Sequence, residues 1–279
     1  MTATAIAPVN PMAAEGKDTV LEVLKRDQDK FFRLVEDPAN WNLQTRCTEW
    51  EVRDLVGHMI DVTEGYLSRW EIAKAGGTAD ALGTGVMGEG LNKHAMELRG
   101  LSREDALARL KADKEKMLAI FEALTPEEWT SSMVVHPYMG PCPMGFYPAF
   151  HIMDYGIHPY DVEYGLGDKL AEIDEASAGI LIPYCHIIMK YTVDAESAKG
   201  VDIVYGIDVS GGWGGKWRCT VRDGQWDSQP DDGSFAGCSA VFRFTPSDFV
   251  LTVFGRFPGG SATGDPETIE KVRSLFFRF

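Results

Sequence analysis

The sequence predicts a mainly α N-terminal domain, a four-helix bundle with one extra helix, followed by a small α+β C-terminal domain. Three observations carry this. Apolar residues recur at helical spacing from Lys17 to about Tyr191, a period of two takes over after Ala198, and roughly the last 35 residues return to helix. The expected division is a flexible tail over residues 1–16, a helical bundle over 17–195 and an α+β domain over 196–279.

The first helix is marked by Val20, Leu24, Phe31 and Val35 and stops at Asp37-Pro38. A second opens at TEWE, where Thr48 and Glu51 have capping-box spacing. It runs through Val52, Leu55, Val56, Met59, Val62, Tyr66 and Trp70 and ends at Gly76-Gly77. The stretch GGTADALGTGVMGEG, rich in glycine and small residues, reads as a long mobile loop of the kind that covers a site. Ser102 and Asp105 start a third helix that buries Ala106, Leu107, Leu110, Met117, Phe121 and Leu124 and ends at Thr125-Pro126. After the proline-rich HPYMGPCPMGFYP, a fourth helix is expected from about Pro148 and a fifth from Asp174 to about Tyr191. VDIVYGIDV, KWRCTVRDGQW and SAVFRF then read as strands separated by SGGWGG and DDGSFAG, and TPSDFVLTVFG and DPETIEKVRSLFFRF as closing helices.

A net charge of -15 argues against a nucleic-acid backbone or an anionic membrane surface as the main partner, since both would be repelled; a small molecule is expected instead. Five cysteines (Cys47, Cys142, Cys185, Cys219 and Cys238) without any C-x-x-C pair suit a reducing cytoplasm. The N-terminal segment lacks a positive stretch followed by an apolar core, and no run approaches the ~18 apolar residues of a membrane span. A cytoplasmic protein is expected. Cys142, between two prolines, has no neighbour in sequence that would activate its thiol.

The chemistry concentrates in DYGIHPYDVEYGLG, Asp154 to Gly167. On a helix, His151, Asp154, His158 and Asp161 fall within an arc of roughly 80°. Two imidazoles and carboxylates on one stripe can bind a divalent ion such as zinc, with a third ligand from another helix and one position left open. The same stripe also reads as the polar edge of a helix interrupted by Pro159. His58 is the natural distant ligand, yet it lies about 120° from the apolar stripe of its own helix, a position that reads as surface. Periodicity leaves both readings open.

The run WNLQTRCTEWEVRDLVGH (Trp41 to His58), followed about a hundred residues later by DYGIHPYD, resembles the DinB-like superfamily and, more narrowly, the mycothiol-dependent maleylpyruvate isomerase family of actinobacteria. The segments VFGR (Val253 to Arg256), ATGD (Ala262 to Asp265) and the closing SLFFRF resemble that family's sterol-carrier-protein-like C-terminal domain. The resemblance implies that His58, Asp154 and His158 hold a divalent metal, expected to be zinc. It implies that a low-molecular-weight thiol, mycothiol, attacks a small electrophilic substrate. Asp161 is then the acceptor that orients an imidazole N–H, and His151 a candidate acceptor for the thiol proton. Arg256 matches an arginine important for the family's activity and is expected to bind a carboxylate or the polar conjugate. Three departures stand out: Asp154 where the family has glutamate, Tyr160 where it has tryptophan, and a longer glycine-rich stretch at 76–90. They point to S-transfer on a metabolite, with cis–trans isomerisation as the alternative. The rival class is a metal-free protein whose C-terminal domain takes an apolar ligand.

Overall fold

The computed structural model describes residues 6–276 and divides into two compact units. One spans Val9–Ile173. The other takes Asp174 onward together with the described residues before Val9. Helices α1 (Lys17–Val35), α2 (Val52–Lys74), α3 (Met87–Glu97), α4 (Arg103–Ala123), α5 (Pro126–Ser131) and α6 (Tyr147–Gly165) belong to the first unit, and α7 (Glu175–Thr192), α8 (Pro246–Val253) and α9 (Pro266–Arg273) to the second.

In the first unit α1 packs on α6 and α2 on α4, a four-helix core. The periodic residues of α1, Val20, Leu24, Phe31 and Val35, are completely buried, and the Phe31 ring meets Tyr155 of α6 edge-on at 5.3 Å. Ser102 caps α4 by accepting the N–H of Asp105 at 3.1 Å. At α2 the cap sits three residues later than the Thr48–Glu51 spacing suggests: Asp54 Oδ2 accepts the Glu51 N–H at 2.8 Å. Asp54 is fully buried, and the exposed end of Arg99 neutralises it with two hydrogen bonds of 2.5 and 2.6 Å.

The glycine-rich stretch expected to be a mobile loop is partly helical. Thr84–Val86 form a 3₁₀ turn and α3 begins at Met87. Helix α3 lies against α2, and Gly57 makes that approach possible, because a Cβ there would sit 2.9 Å from the Ala95 carbonyl oxygen. The proline-rich segment before α6 is a two-stranded antiparallel ribbon, β1 (Met133–His136) with β2 (Gly140–Pro143). Pro141 and Pro143 each lack a ladder donor, which a two-stranded ribbon tolerates because both strands are edges. Of the expected frayed tail, residues 1–5 lie outside the described residues, while Asn10, Ala13 and Gly16 are joined by backbone hydrogen bonds that close a turn and the 3₁₀ segment Ala14–Gly16.

The fifth helix has the expected bounds but joins the other unit, so the division falls before α7 and not near residue 195. Helix α7 packs on α8 and on β5 (Gln225–Pro230), and Gly179 lies against Trp213. Composition changes where strands begin, at Ala198, whereas burial decides which core a helix joins. The sheet has the order β5-β4-β3-β6-β7, with β3 at Asp202–Val209, β4 at Gly215–Arg222, β6 at Ala240–Phe244 and β7 at Ser261–Gly264. Neighbours are antiparallel except β3 and β6. Tyr205, Ile207 and Val209 of β3 alternate into the core, the period read in the sequence. Strand β7 lies in the stretch between the two closing helices. Residues 277–279 of the closing SLFFRF lie outside the described residues.

Candidate metal centre

Three segments of the helical unit converge on one point. Helix α2 supplies His58, α6 supplies Asp154 and His158, and the Cys47–Glu51 turn supplies Trp50. The turn reaches α6 because Gly165 has no side chain; a Cβ there would stand 2.3 Å from the Gln44 carbonyl oxygen. The Arg46 N–H then donates to the Asp161 carbonyl at 2.9 Å.

His58 is 4% exposed, not a surface residue. The apolar stripe of α2 underestimates its burial because α3, α4 and β1 all pack on the helix, so more than one face is covered. Its Nε2 lies 3.5 Å from Asp154 Oδ1, and His158 Nε2 lies 3.9 Å from the same oxygen. The three ligand atoms fall within 4.8 Å of one another. Tetrahedral zinc with bonds of ~2.0–2.2 Å needs ligand atoms roughly 3.3–3.6 Å apart, so a cation fits with small side-chain adjustments. Although an aspartate is one methylene shorter than a glutamate, its oxygen reaches both imidazoles.

Electrostatics favour the ligand forms. Burial would raise the Asp154 carboxyl, but its contact with His58 and the fields of His58, His158 and His151 hold it below the usual carboxylate range. Burial lowers the His158 imidazole and outweighs the opposing pull of Asp161, so the ring is neutral at neutral pH. His158 Nδ1 and Asp161 Oδ2 are 2.9 Å apart, which makes Nδ1 the protonated nitrogen and turns the Nε2 lone pair toward the cluster. His58 Nδ1 is buried with no hydrogen-bond partner among the described residues. The Asp154 side chain keeps 17% exposure and leaves the cluster open on that side.

Besides Asp161, the cluster has neighbours for which the sequence suggests no role: Trp50, Asn92 and Cys47. The Trp50 indole lies 5.0 Å from the His58 ring and 6.2 Å from that of His158, and its Nε1 donates to Asn92 Oδ1 of α3 at 2.8 Å. Cys47 Sγ is 3.4 Å from Asp161 Oδ2, so a thiol, a carboxylate and the Nδ1 side of His158 meet behind the cluster. His158 Nδ1 is already engaged there, which makes this a poorer cation site. Trp50 and Cys47 stand in the same run as His58, but nothing in their spacing announces the contacts.

His151 lies outside the cluster. Its ring is 1% exposed, stacks 6.1 Å from Tyr155 and meets Tyr66 and Phe121 edge-on, and among the described residues neither nitrogen has a hydrogen-bond partner. Burial lowers it to about 4, so it is neutral and a weak base. Arg256 belongs to the second unit, where its Nη1 donates to the Phe254 carbonyl at 3.1 Å. Burial pushes Cys142 up to about 11, in keeping with an inert thiol. Among the described residues no helix is long and apolar enough to cross a membrane.

A search of the curated proteins finds no match. Among solved structures, the chain is similar to a mycothiol-dependent maleylpyruvate isomerase, with a TM-score of 0.63 and 13% identity over 94% of this chain and 97% of that one. A histidine-to-alanine mutant of a mycothiol-dependent maleylpyruvate isomerase gives a TM-score of 0.61 at 12% identity, with the same coverage. At such identities the likeness establishes a shared fold, here one that includes both units. Residues 24–163, half of the chain, match the family model of the mycothiol maleylpyruvate isomerase N-terminal domain, and the chain belongs to that family.

Proposed function

We propose that this protein is an enzyme in which His58, Asp154 and His158 hold a divalent cation, zinc by the chemistry of the donors, and that a low-molecular-weight thiol, mycothiol, is its nucleophile. The observation that carries the reading is the convergence of two imidazole Nε2 atoms on one carboxylate oxygen, with His158 fixed from behind by Asp161. When bound, the cation supplies positive charge that favours thiolate over thiol near neutral pH. The chain's own residues arrange the rest. Asp161 sets the tautomer of His158, Trp50 walls the two imidazoles, and the exposed side of Asp154 is where a small thiol can approach. His151 is a poor acceptor for the thiol proton, being enclosed and weakly basic, and we assign it to packing. Arg256 is proposed, from the family resemblance, to hold the carboxylate or polar part of the conjugate.

The favoured reaction is S-transfer to a small electrophilic metabolite in the cytoplasm: a C–S bond forms and the leaving group departs with its electron pair. The departures from the family pattern at Asp154 and Tyr160 support transfer over the parent reaction. Cis–trans isomerisation is the second reading, favoured by the structural relatives, which are maleylpyruvate isomerases; there the same C–S bond breaks again after rotation. Metal analysis of protein purified without chelator tests the centre. About one zinc per chain, lost in His58→Ala, is expected. A folded, metal-free wild type that binds no added zinc would sink the proposal. Incubation with mycothiol and electrophiles, maleylpyruvate included, followed by mass spectrometry separates conjugate from isomer.

A further inference from the structure

The face of α2 that carries His58 continues past the metal centre. Val62, Gly65 and Arg69 follow it at helical spacing, within about 60° of arc. All three are half-buried, and a Cβ on Gly65 would meet nothing within 4 Å, so the helix surface is bare between His58 and Arg69. Tyr66 stands at the edge of this face, about 12 Å of helix rise beyond His58. Helical side chains lean toward the N-terminus of their helix, which brings the phenol back toward the metal centre.

The hydrogen bonds of Tyr66 leave one proton over. Its Oη lies 3.2 Å from His136 Nε2. His136 Nδ1 accepts the N–H groups of Tyr138 and Met139, both at 3.2 Å, and burial, aided by the Arg69 charge, lowers the ring to about 4. The neutral ring therefore carries its one proton on Nε2 and donates it to Tyr66. Burial and the Asp154 charge hold the phenol well above its usual range, so it keeps a proton that it has to give away. Among the described residues that proton has no acceptor. His151 meets the Tyr66 ring edge-on at 5.4 Å, yet neither of its nitrogens is hydrogen-bonded. A buried donor left unmade costs ~1–3 kcal/mol, which a ligand oxygen would recover.

Arg69 adds a charge beside this donor. Its Nη1 and Nη2 donate to the carbonyls of Val135 at 3.2 Å and Asp80 at 3.0 Å, both neutral partners. Among the described residues no carboxylate pairs with it; Asp61 of the same helix is engaged with His94 at 3.1 Å. In a chain with a formal charge of -15, a half-buried guanidinium without a counter-ion is a place where an anion finds attraction. The fork retains further N–H donors.

We propose that Tyr66 and Arg69 form an anion subsite that takes the carboxylate of a small organic acid, whose other end reaches the metal centre along the bare face of α2. The phenol gives one hydrogen bond and the guanidinium supplies the others with its charge, a match for a planar group with two oxygens. That the acid is the electrophile attacked by the thiol rests on the function proposed above; that the subsite binds a carboxylate does not.

Calorimetric titration of the full-length protein with crotonate, its neutral amide crotonamide and inorganic phosphate tests the subsite. Saturable one-site binding of crotonate is expected, tighter than that of either comparison compound. Tyr66→Phe keeps the ring and should weaken crotonate by about tenfold. Arg69→Gln should weaken it at least as much, and Arg69→Lys, which keeps the charge and tests the same point should the glutamine variant fail to fold, should be intermediate. The dependence on Tyr66 should persist after chelation. Metal-free protein that binds crotonate through Tyr66 would therefore leave the subsite standing while the metal centre falls, and zinc-loaded protein indifferent to Tyr66→Phe would do the reverse. Absence of saturable crotonate binding, equal affinity for the amide, tighter binding of phosphate, or unchanged affinity in folded Tyr66→Phe would overturn the assignment.

Discussion

His158 Nδ1 and Asp161 Oδ2 stand 2.9 Å apart on one helix, and the carboxylate is fully buried. The pair gives His158 its orientation and leaves Nε2 as the only nitrogen that can face the cluster. Asp161→Ala should therefore weaken zinc binding by about 10–100-fold without removing a ligand. Asp161→Asn, which retains an acceptor oxygen, should lose less. Competition with a chromophoric chelator reads both. Wild-type affinity in Asp161→Ala would mean that packing alone orients the ring.

The wall above the imidazoles is held from α3. Trp50 donates to Asn92, and Asn92 Nδ2 in turn donates to Glu49 at 2.8 Å, so the helix is clasped to the turn that carries the indole. Asn92→Ala should cost about 1 kcal/mol of stability at most and raise KM more than it lowers kcat, because the wall loosens while the ligands stay. Trp50→Phe breaks the same hydrogen bond, so the double variant should be no worse than the poorer single one. Additive losses would show that the two residues act separately.

Most of the helices were legible because their signals are local. Ser102 and Asp105, Asp174 before α7, and the stripe of α1 are each readable within one or two turns. What escaped was decided by neighbours distant in sequence. His58 is buried because α3, α4 and β1 converge on its helix, which no single-helix pattern records. Helix α7 belongs with the sheet because its apolar residues find α8 and β5, whereas the change in composition comes only at the strands. At the site, the helical period put His151, Asp154, His158 and Asp161 on one face, although His151 lies outside the cluster, and the family resemblance brought in His58. Neither reached Trp50 or Asn92, whose contact joins residues 42 apart.

The length of the carboxylate is open to direct test. Asp154 Oδ1 already stands 3.5 and 3.9 Å from the two Nε2 atoms, so this backbone suits an aspartate. Asp154→Glu adds a methylene that must swing the carboxylate aside or push His58 away. Zinc affinity should drop by about tenfold, a loss of about 1.4 kcal/mol. Asp154→Asn removes the charge and should lose more. Tighter zinc binding in Asp154→Glu would show that the helices retain the spacing for glutamate and that the aspartate is a weakening substitution.

Acid should unfold the protein through its buried imidazoles. Burial lowers His136, His151 and His186 from 6.5 to about 4, and His158 moves in the same direction. Between about pH 4 and 6.5 the unfolded chain therefore binds more protons than the folded one, and stability rises with pH through that window and levels off above it. Each such histidine is worth up to roughly 3 kcal/mol at the acid end, and a few of them rival the ~5–15 kcal/mol that holds a typical domain folded. The urea midpoint should be flat from pH 7 upward and fall steeply from pH 6.5 toward 4. His151→Phe should flatten the slope in the helical unit and His186→Phe in the sheet unit, read by probes specific to each. A midpoint unchanged between pH 7 and 5 would mean that the folded protein takes up these protons without opening, and that the imidazoles are not held neutral by burial.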